Sequence, residues 1–373
     1  MLGRFWMQSL ITIFRDVHDP RDINARHFLE SVLFISLAAT LCGAKSCVDI
    51  ADFAEANVDT LGEIVDLPHG APSHDSFSRM FRLLDPEELG AALTRFAASM
   101  RQALGIGPAK GVVAIDGKSL RRGYERGKAF MPPLMVSVWD AETRLSIATR
   151  RAEGGDEIGA TLAALKCLVL KGCIVTADAL HCHPRMAAAV RATGAHYALG
   201  LKGNHGPLYA AAGAAFAKAE AAGTLVTHER SESGHDRLER RRVGVVAKPA
   251  NAPAFPGLAA IARIEAERRT ADGKLSTATR YVALSKRLSP AQVLEVTRTH
   301  WSVENDLHWQ LDVVFNEDDA RTRKDYAPQN LAVIRRIALD ILRSHPAKKS
   351  IARKMKLASW SRPFFFELFA HMR

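Results

Sequence analysis

The chain has 373 residues, 47% of them hydrophobic and 24% charged, which excludes an intrinsically disordered protein. A formal net charge of +11 favours a polyanionic partner and is silent about fold. Five cysteines without a CxxC pair argue against a disulfide framework or a zinc ribbon. The longest apolar run, Val32–Ala44, falls well short of the roughly 20 residues a bilayer span requires, and no signal-peptide pattern opens the chain, so a cytoplasmic protein without a membrane segment is expected.

From about residue 8 to 105 the pattern is helical. "HFLESVLFISLAATLCGA" is apolar nearly all round and predicts a buried helix ending at Gly43, and "VDIADFAEANVDTLGEIV" repeats apolar residues every three or four positions. In "LPHGAPSHDSFSRMFRLLDPEELG" the prolines break the chain and Ser73 or Asp75 can cap a helix. Phe77, Met80, Phe81 and Leu84 share one face of that helix. Two helices across a Gly/Pro turn resemble a helix-turn-helix with Arg79 and Arg82 turned outward; ordinary helix packing is the competing reading. After the linker "GIGPAK" the order becomes β-β-β-α-β-α-β, which predicts an α/β fold with a mixed sheet flanked by helices. Residues 206–285 read as an inserted region, an alanine-rich helix followed by charged strands such as "GHDRLERRRVGVVA". Helical pattern returns over 289–343, and 346–373 is a basic, aromatic tail.

Two acids close apolar strands, Asp116 in "VVAID" and Asp178 in "CIVTAD". Neighbouring strands of this kind bring their carboxylates to one edge of the sheet, where the like charges call for a cation. In "RTHWSVENDLHWQLDVVFNEDDARTRK", Glu304, His308 and Asp312 lie within an arc of roughly 80° if the helix turns about 100° per residue. A cluster of carboxylates suits Mg2+ or Mn2+ better than zinc. "HCH" at 181–183 reads as a polar loop near the site, and core packing is the favoured use of Trp301 and Trp309.

Five segments in order, "AIDGKSLRR", "IVTADALHC", "YALGLKGNH", "GHDRLERR" and "HWSVENDLHWQLDVVFNEDDARTRK", resemble bacterial insertion-sequence transposases of the H-repeat-associated group. Those proteins carry a DDE triad on an RNase H-like core, and the likeness runs from about residue 15 to 345. The resemblance implies an N-terminal helical, DNA-binding domain over 1–105 and a catalytic core over 110–345, interrupted by the β-containing insertion. It places the triad on Asp116, Asp178 and Glu304, holding two Mg2+ or Mn2+ ions about 3.5–4 Å apart. The wider class sets its glutamate in a tyrosine–arginine–glutamate–lysine signature. Here Thr297, His300 and Leu311 stand at the other three spacings, with Arg298, His308 and Lys324 as substitutes, and Asp312 remains an alternative third ligand.

The implied activity is metal-dependent cleavage and strand transfer at the ends of an insertion sequence. The alternatives are an RNase H-like nuclease without strand transfer and a catalytically decayed DNA-binding protein. The implied partners are double-stranded DNA, namely terminal inverted repeats and target, bound by a homodimer at the bacterial nucleoid. Lys118, Arg121, Arg122, Lys202, Asn204, Arg298, Arg321, Arg323 and Lys324, with Arg79 and Arg82, are the expected DNA contacts.

Overall fold

The computed structural model describes residues 2–21, 24–124, 131–234, 237–270 and 272–370. Residues 235 and 236 of the "GHDRLERRRVGVVA" stretch, and the last three of the tail, lie outside them. Six helices open the chain: α1 (Leu2–Arg15), α2 (Leu29–Leu41), α3 (Cys47–Ala56), α4 (Val58–Gly62), α5 (His74–Leu83) and α6 (Pro86–Ala103). Each boundary has a local cause. Ser46 and Asp49 close a reciprocal capping box on α3. The Ser73 hydroxyl, rather than Asp75, accepts the Ser76 N–H to start α5. Asp85 accepts the Glu87 N–H, and Pro86 occupies the first position of α6, where no donor is needed. Every residue of α2 except Glu30 is buried, as its all-round apolar pattern requires.

The sheet begins with β1 (Val112–Ser119), β2 (Leu134–Asp140) and β3 (Leu145–Ala152), an antiparallel meander. Next come α7 (Glu157–Lys166), β4 (Ile174–Ala177), α8 (Pro184–Ala192) and β5 (His196–Leu201), with β4 parallel to both β1 and β5. The segment read from sequence as an insertion holds α9 (Gly206–Ala221), β6 (Thr227–Gly234), β7 (Arg237–Ala247), β8 (Ala260–Thr270) and β9 (Leu275–Leu284). Its strands do not form a separate sheet. β9 pairs antiparallel with β5 and the rest follow outward, giving nine strands in the order β3-β2-β1-β4-β5-β9-β8-β7-β6. The chain continues through α10 (Pro290–His300), a π-helical stretch Val303–His308, α11 (Trp309–Val313), α12 (Ala327–Ser344), α13 (Ile351–Trp360) and α14 (Arg362–Ala370).

Strand alternation sorts the core. On β1, Val113 and Ile115 face α7 and α8, whereas Ala114 joins the opposite layer with Met135 and Trp139. That second layer is continuous: α1, α2, α5 and α6 share it with Leu307, Leu311 and the buried helix α12. The tail segment is part of it too, because Phe365, Leu368 and Phe369 of α14 pack there and α14 lies on α1. Apolar burial therefore crosses residue 105 without a break. Asp116 has the parity of Ala114 and faces the late helices, while Gly117 faces α7.

Candidate active site

β1 and β4 run parallel with Ala114 beside Thr176, so two residues further on each strand the chain arrives at Asp116 and Asp178. Asp178 heads the short 3-10 turn Ala179–His181, and its Oδ1 accepts the Leu180 N–H at 2.9 Å and faces His181 Nδ1 at 3.0 Å. The His181 hydrogen bond holds this carboxyl below its usual range. The turn passes so close to β5 that a Cβ on Gly200 would sit 3.2 Å from the Ala179 nitrogen, and the Asn204 amide fastens it by donating to the Ala179 carbonyl at 2.6 Å.

Glu304 arrives from the other side. Thr176 Oγ1 meets His300 Nδ1 at 3.0 Å, docking the end of α10 on β4. The chain then widens into the π-helical stretch, where the Trp309 N–H reaches back five residues to the Glu304 carbonyl. Such widened turns are frequent at functional sites. The wider turn breaks the uniform α-helical spacing on which the arc of Glu304, His308 and Asp312 rested, and the three side chains find different neighbours. Glu304 is exposed and, with Asp178, Lys202, Tyr209, Arg280 and Trp301, lines a cleft of about 530 Å³. His308 Nδ1 lies 3.5 Å from Oδ2 of Asp116, and burial pushes its pKa down to about 3, so the ring is neutral. Asp312 instead forms an ion pair with the Lys118 ammonium at 2.7 Å.

Asp116 registers this crowding. Burial first, then the charge of Glu304, then Glu157 and Asp178 push its pKa up to about 7 against the Gly117 N–H that stabilises its anion. Glu157 is an acid that the sequence reading did not single out. It opens α7, where a carboxylate is ordinary beside the helix dipole. It reaches the site because residue 117 has no side chain: a Cβ there would lie 2.6 Å from Glu157 Oε1. Among the described residues no three His, Cys, Asp or Glu side chains form a ready-made metal cage. The donor set nevertheless fits a hard divalent cation in kind and in charge, since hard oxygen donors crowd one another enough to help push the Asp116 carboxyl up to about 7.

The basic residues divide into two groups. Lys118 does not face solvent as expected. It is 7% exposed, holds Asp312 and Asp318 at 2.7 Å each and has Glu317 at 3.9 Å. Arg298 is turned to Glu232 of the insertion at 2.5 Å and Arg82 to Asp325 at 2.7 Å, so both bind parts of the fold together. Asn204 is committed to its turn. Arg121 (77% exposed, 3.2 Å from Asp318) and Arg122 (3.3 Å from Asp319) stay at the surface, and Arg323 donates to the Arg122 carbonyl. Arg79, Lys202, Arg321 and Lys324 are at least partly exposed. Trp301 and Trp309 are 43% and 52% exposed, a correction to their expected place in the core: the π-helical stretch and its ends turn them out.

Three central parallel strands, β1, β4 and β5, continued by an antiparallel meander, with acids gathered at the strand ends and a late helix laid across them, define an RNase H-like fold. The family follows from comparison with known proteins. The Transposase DDE domain matches residues 107–341 and the DDE_Tnp_1-associated region matches 11–97. The H repeat-associated putative transposase YhhI of Escherichia coli is 30% identical over 92% of this chain and 93% of its own length. The putative protein YbfL of the same species is equally similar over the same shares. A putative transposase, YncI, from Escherichia coli O157:H7 is 28% identical over 98% of this chain and 95% of its own. The chain belongs to the bacterial H-repeat-associated family of DDE transposases.

Proposed function

We propose that the protein cuts DNA at the ends of an insertion sequence and joins those ends to target DNA, with Asp116, Asp178 and Glu304 as its catalytic acids and two Mg2+ or Mn2+ ions as cofactors. The observation that carries this reading is Asp116, buried near the end of a central strand beside Glu304, Glu157 and Asp178, where burial first and those charges second push its carboxyl up to about 7. Bound divalent cations supply charge neutralisation at the phosphate and an activated oxygen nucleophile. Asp116, whose carboxyl feels the charges of both Glu304 and Asp178, would hold the cations together with those two acids. Neutral His308 lies beside Asp116, its Nδ1 3.5 Å from Oδ2, without adding charge. Asp312 is committed to Lys118, which favours Glu304 as the third acid.

Lys202, in the same cleft as Asp178 and Glu304, and the surface residues Arg121, Arg122, Arg321, Arg323 and Lys324 take the phosphate backbone, with Arg79 contacting DNA from the N-terminal helices. Such contacts position the duplex and carry the salt dependence of binding. The protein works as a homodimer on DNA in the bacterial cytoplasm. Among the described residues no helix is long and apolar enough to cross a membrane. The test is a duplex carrying the terminal inverted repeat, incubated with the protein, Mg2+ and a target plasmid. Joined products support the reading. Cleaved but unjoined ends support a nuclease, and binding without cleavage a decayed enzyme.

A further inference from the structure

His181, in the turn that looked from sequence like a polar loop, is 1% exposed and has both ring nitrogens engaged. Nδ1 lies 3.0 Å from Oδ1 of Asp178, and Nε2 lies 3.0 Å from the hydroxyl of Thr161, itself fully buried on α7. An ionised carboxylate can only accept, so Nδ1 carries the proton toward Asp178. Nε2 is hydrogen-bonded with the Thr161 hydroxyl, which can accept from it or donate to it. Glu157, one helical turn before Thr161, brings Oε1 to 3.8 Å from the same Nε2. The Leu180 N–H donates to Oδ1 as well. Two donors converging on one oxygen fix the plane of the carboxyl and leave Oδ2 for a ligand in the cleft.

We propose that His181 is a positioning residue: anchored to α7 through Thr161, it holds Oδ1 of Asp178 so that Oδ2 is presented to a divalent cation. This rests on Asp178 being a catalytic acid, as proposed above. A histidine that merely filled space would be replaceable by any side chain of its size. A positioning histidine is replaceable only by one that keeps the Nδ1 donor. Asparagine places its amide nitrogen near that of Nδ1, glutamine places its amide near Nε2, and phenylalanine keeps volume alone.

The experiment compares full-length His181→Asn, His181→Gln, His181→Phe and Thr161→Val, each checked by thermal melting. Mn2+ binding is read by titration calorimetry without DNA, and Mg2+-dependent cleavage of an inverted-repeat duplex is read separately. The Gln and Phe variants are expected to lose roughly 10–100-fold in Mn2+ affinity and in cleavage, with Asn within about threefold of the parent. Thr161→Val, which keeps shape and removes the hydroxyl, shows a smaller loss in the same direction. Parental Mn2+ binding in Gln and Phe, or an Asn variant as impaired as Phe, overturns the proposal. If a His181 variant fails to fold, Thr161→Val decides: unchanged affinity and rate refute the anchor. Asp178→Asn separates the two readings. Its retaining Mn2+ binding and cleavage removes the functional assignment itself, whereas its losing both while His181→Phe loses neither removes only the role of His181.

Discussion

Replacing Asp116 by asparagine removes a charge that the metal-free protein accommodates poorly, and the cost can be worked out. The carboxyl titrates near 7 in the folded chain against 3.8 for an unperturbed group, a difference of about three units. At 1.36 kcal/mol per unit this amounts to at most ~4 kcal/mol, and because the side chain is 23% exposed, solvent screening brings it to about 2–4. The folded pKa is raised, so between pH ~4 and ~7 the folded chain binds more protons than the unfolded one. Stability therefore falls as pH rises through that window. An asparagine at this position would keep the shape, accept the Gly117 N–H and abolish this slope. With an unfolding entropy of about 2.1 cal/mol/K per residue, Asp116→Asn should melt ~3–5 °C above the parent at pH 8 without metal. The advantage should shrink toward zero as pH falls to ~4. Millimolar Mg2+ should narrow the gap at pH 8 by stabilising the parent alone. Melting curves by circular dichroism across this pH range check it. An advantage independent of pH, or a lower melting temperature at pH 8, would refute the electrostatic reasoning.

Lys118→Met should destabilise by about 2–4 kcal/mol, because it strands Asp312 and leaves Asp318 only the exposed Arg121; Arg121→Met, at an exposed pair, should change stability by less than about 1 kcal/mol in the same urea titration. Gly117→Ala should slow Mg2+-dependent cleavage by pressing β1 against Glu157 and shifting Asp116, and Glu157→Ser should partly restore the Gly117→Ala chain by relieving the overlap; a neutral Gly117→Ala would mean that Glu157 swings away freely. Neutralising Arg121, Arg122 and Arg323 together should flatten the plot of log binding constant against log salt by about 2–3 units for any duplex, measured by fluorescence anisotropy. An unchanged slope would place the DNA elsewhere.

Much of the fold was legible because period and punctuation agreed. Asp116 and Asp178 stood out as charges ending apolar strands, and parallel pairing of β1 with β4 sets them level. Glu304 and Asp312 could not be told apart, since the angular argument assumes about 3.6 residues per turn and the stretch between them is π-helical. Lys118 read as a phosphate contact because its burying partners lie about two hundred residues away. Glu157 was invisible for a related reason: an acid at a helix start has a sufficient local explanation, and only the bare Gly117 opposite it reveals a second role. The β-type pattern of 206–285 was legible, but its extension of the central sheet depends on β9 pairing with β5, a register that no local pattern encodes.

The most direct measurement of the central claim is Mg2+-dependent cutting and joining of an inverted-repeat duplex by four single variants. Asp116→Ala, Asp178→Ala and Glu304→Ala should each lose about a thousandfold or more while still binding the duplex, and Asp312→Asn should retain most activity. An active Glu304→Ala protein beside an inactive, folded Asp312→Asn one would contradict the assignment of the third acid, and an active Asp116→Ala protein would contradict the site as a whole.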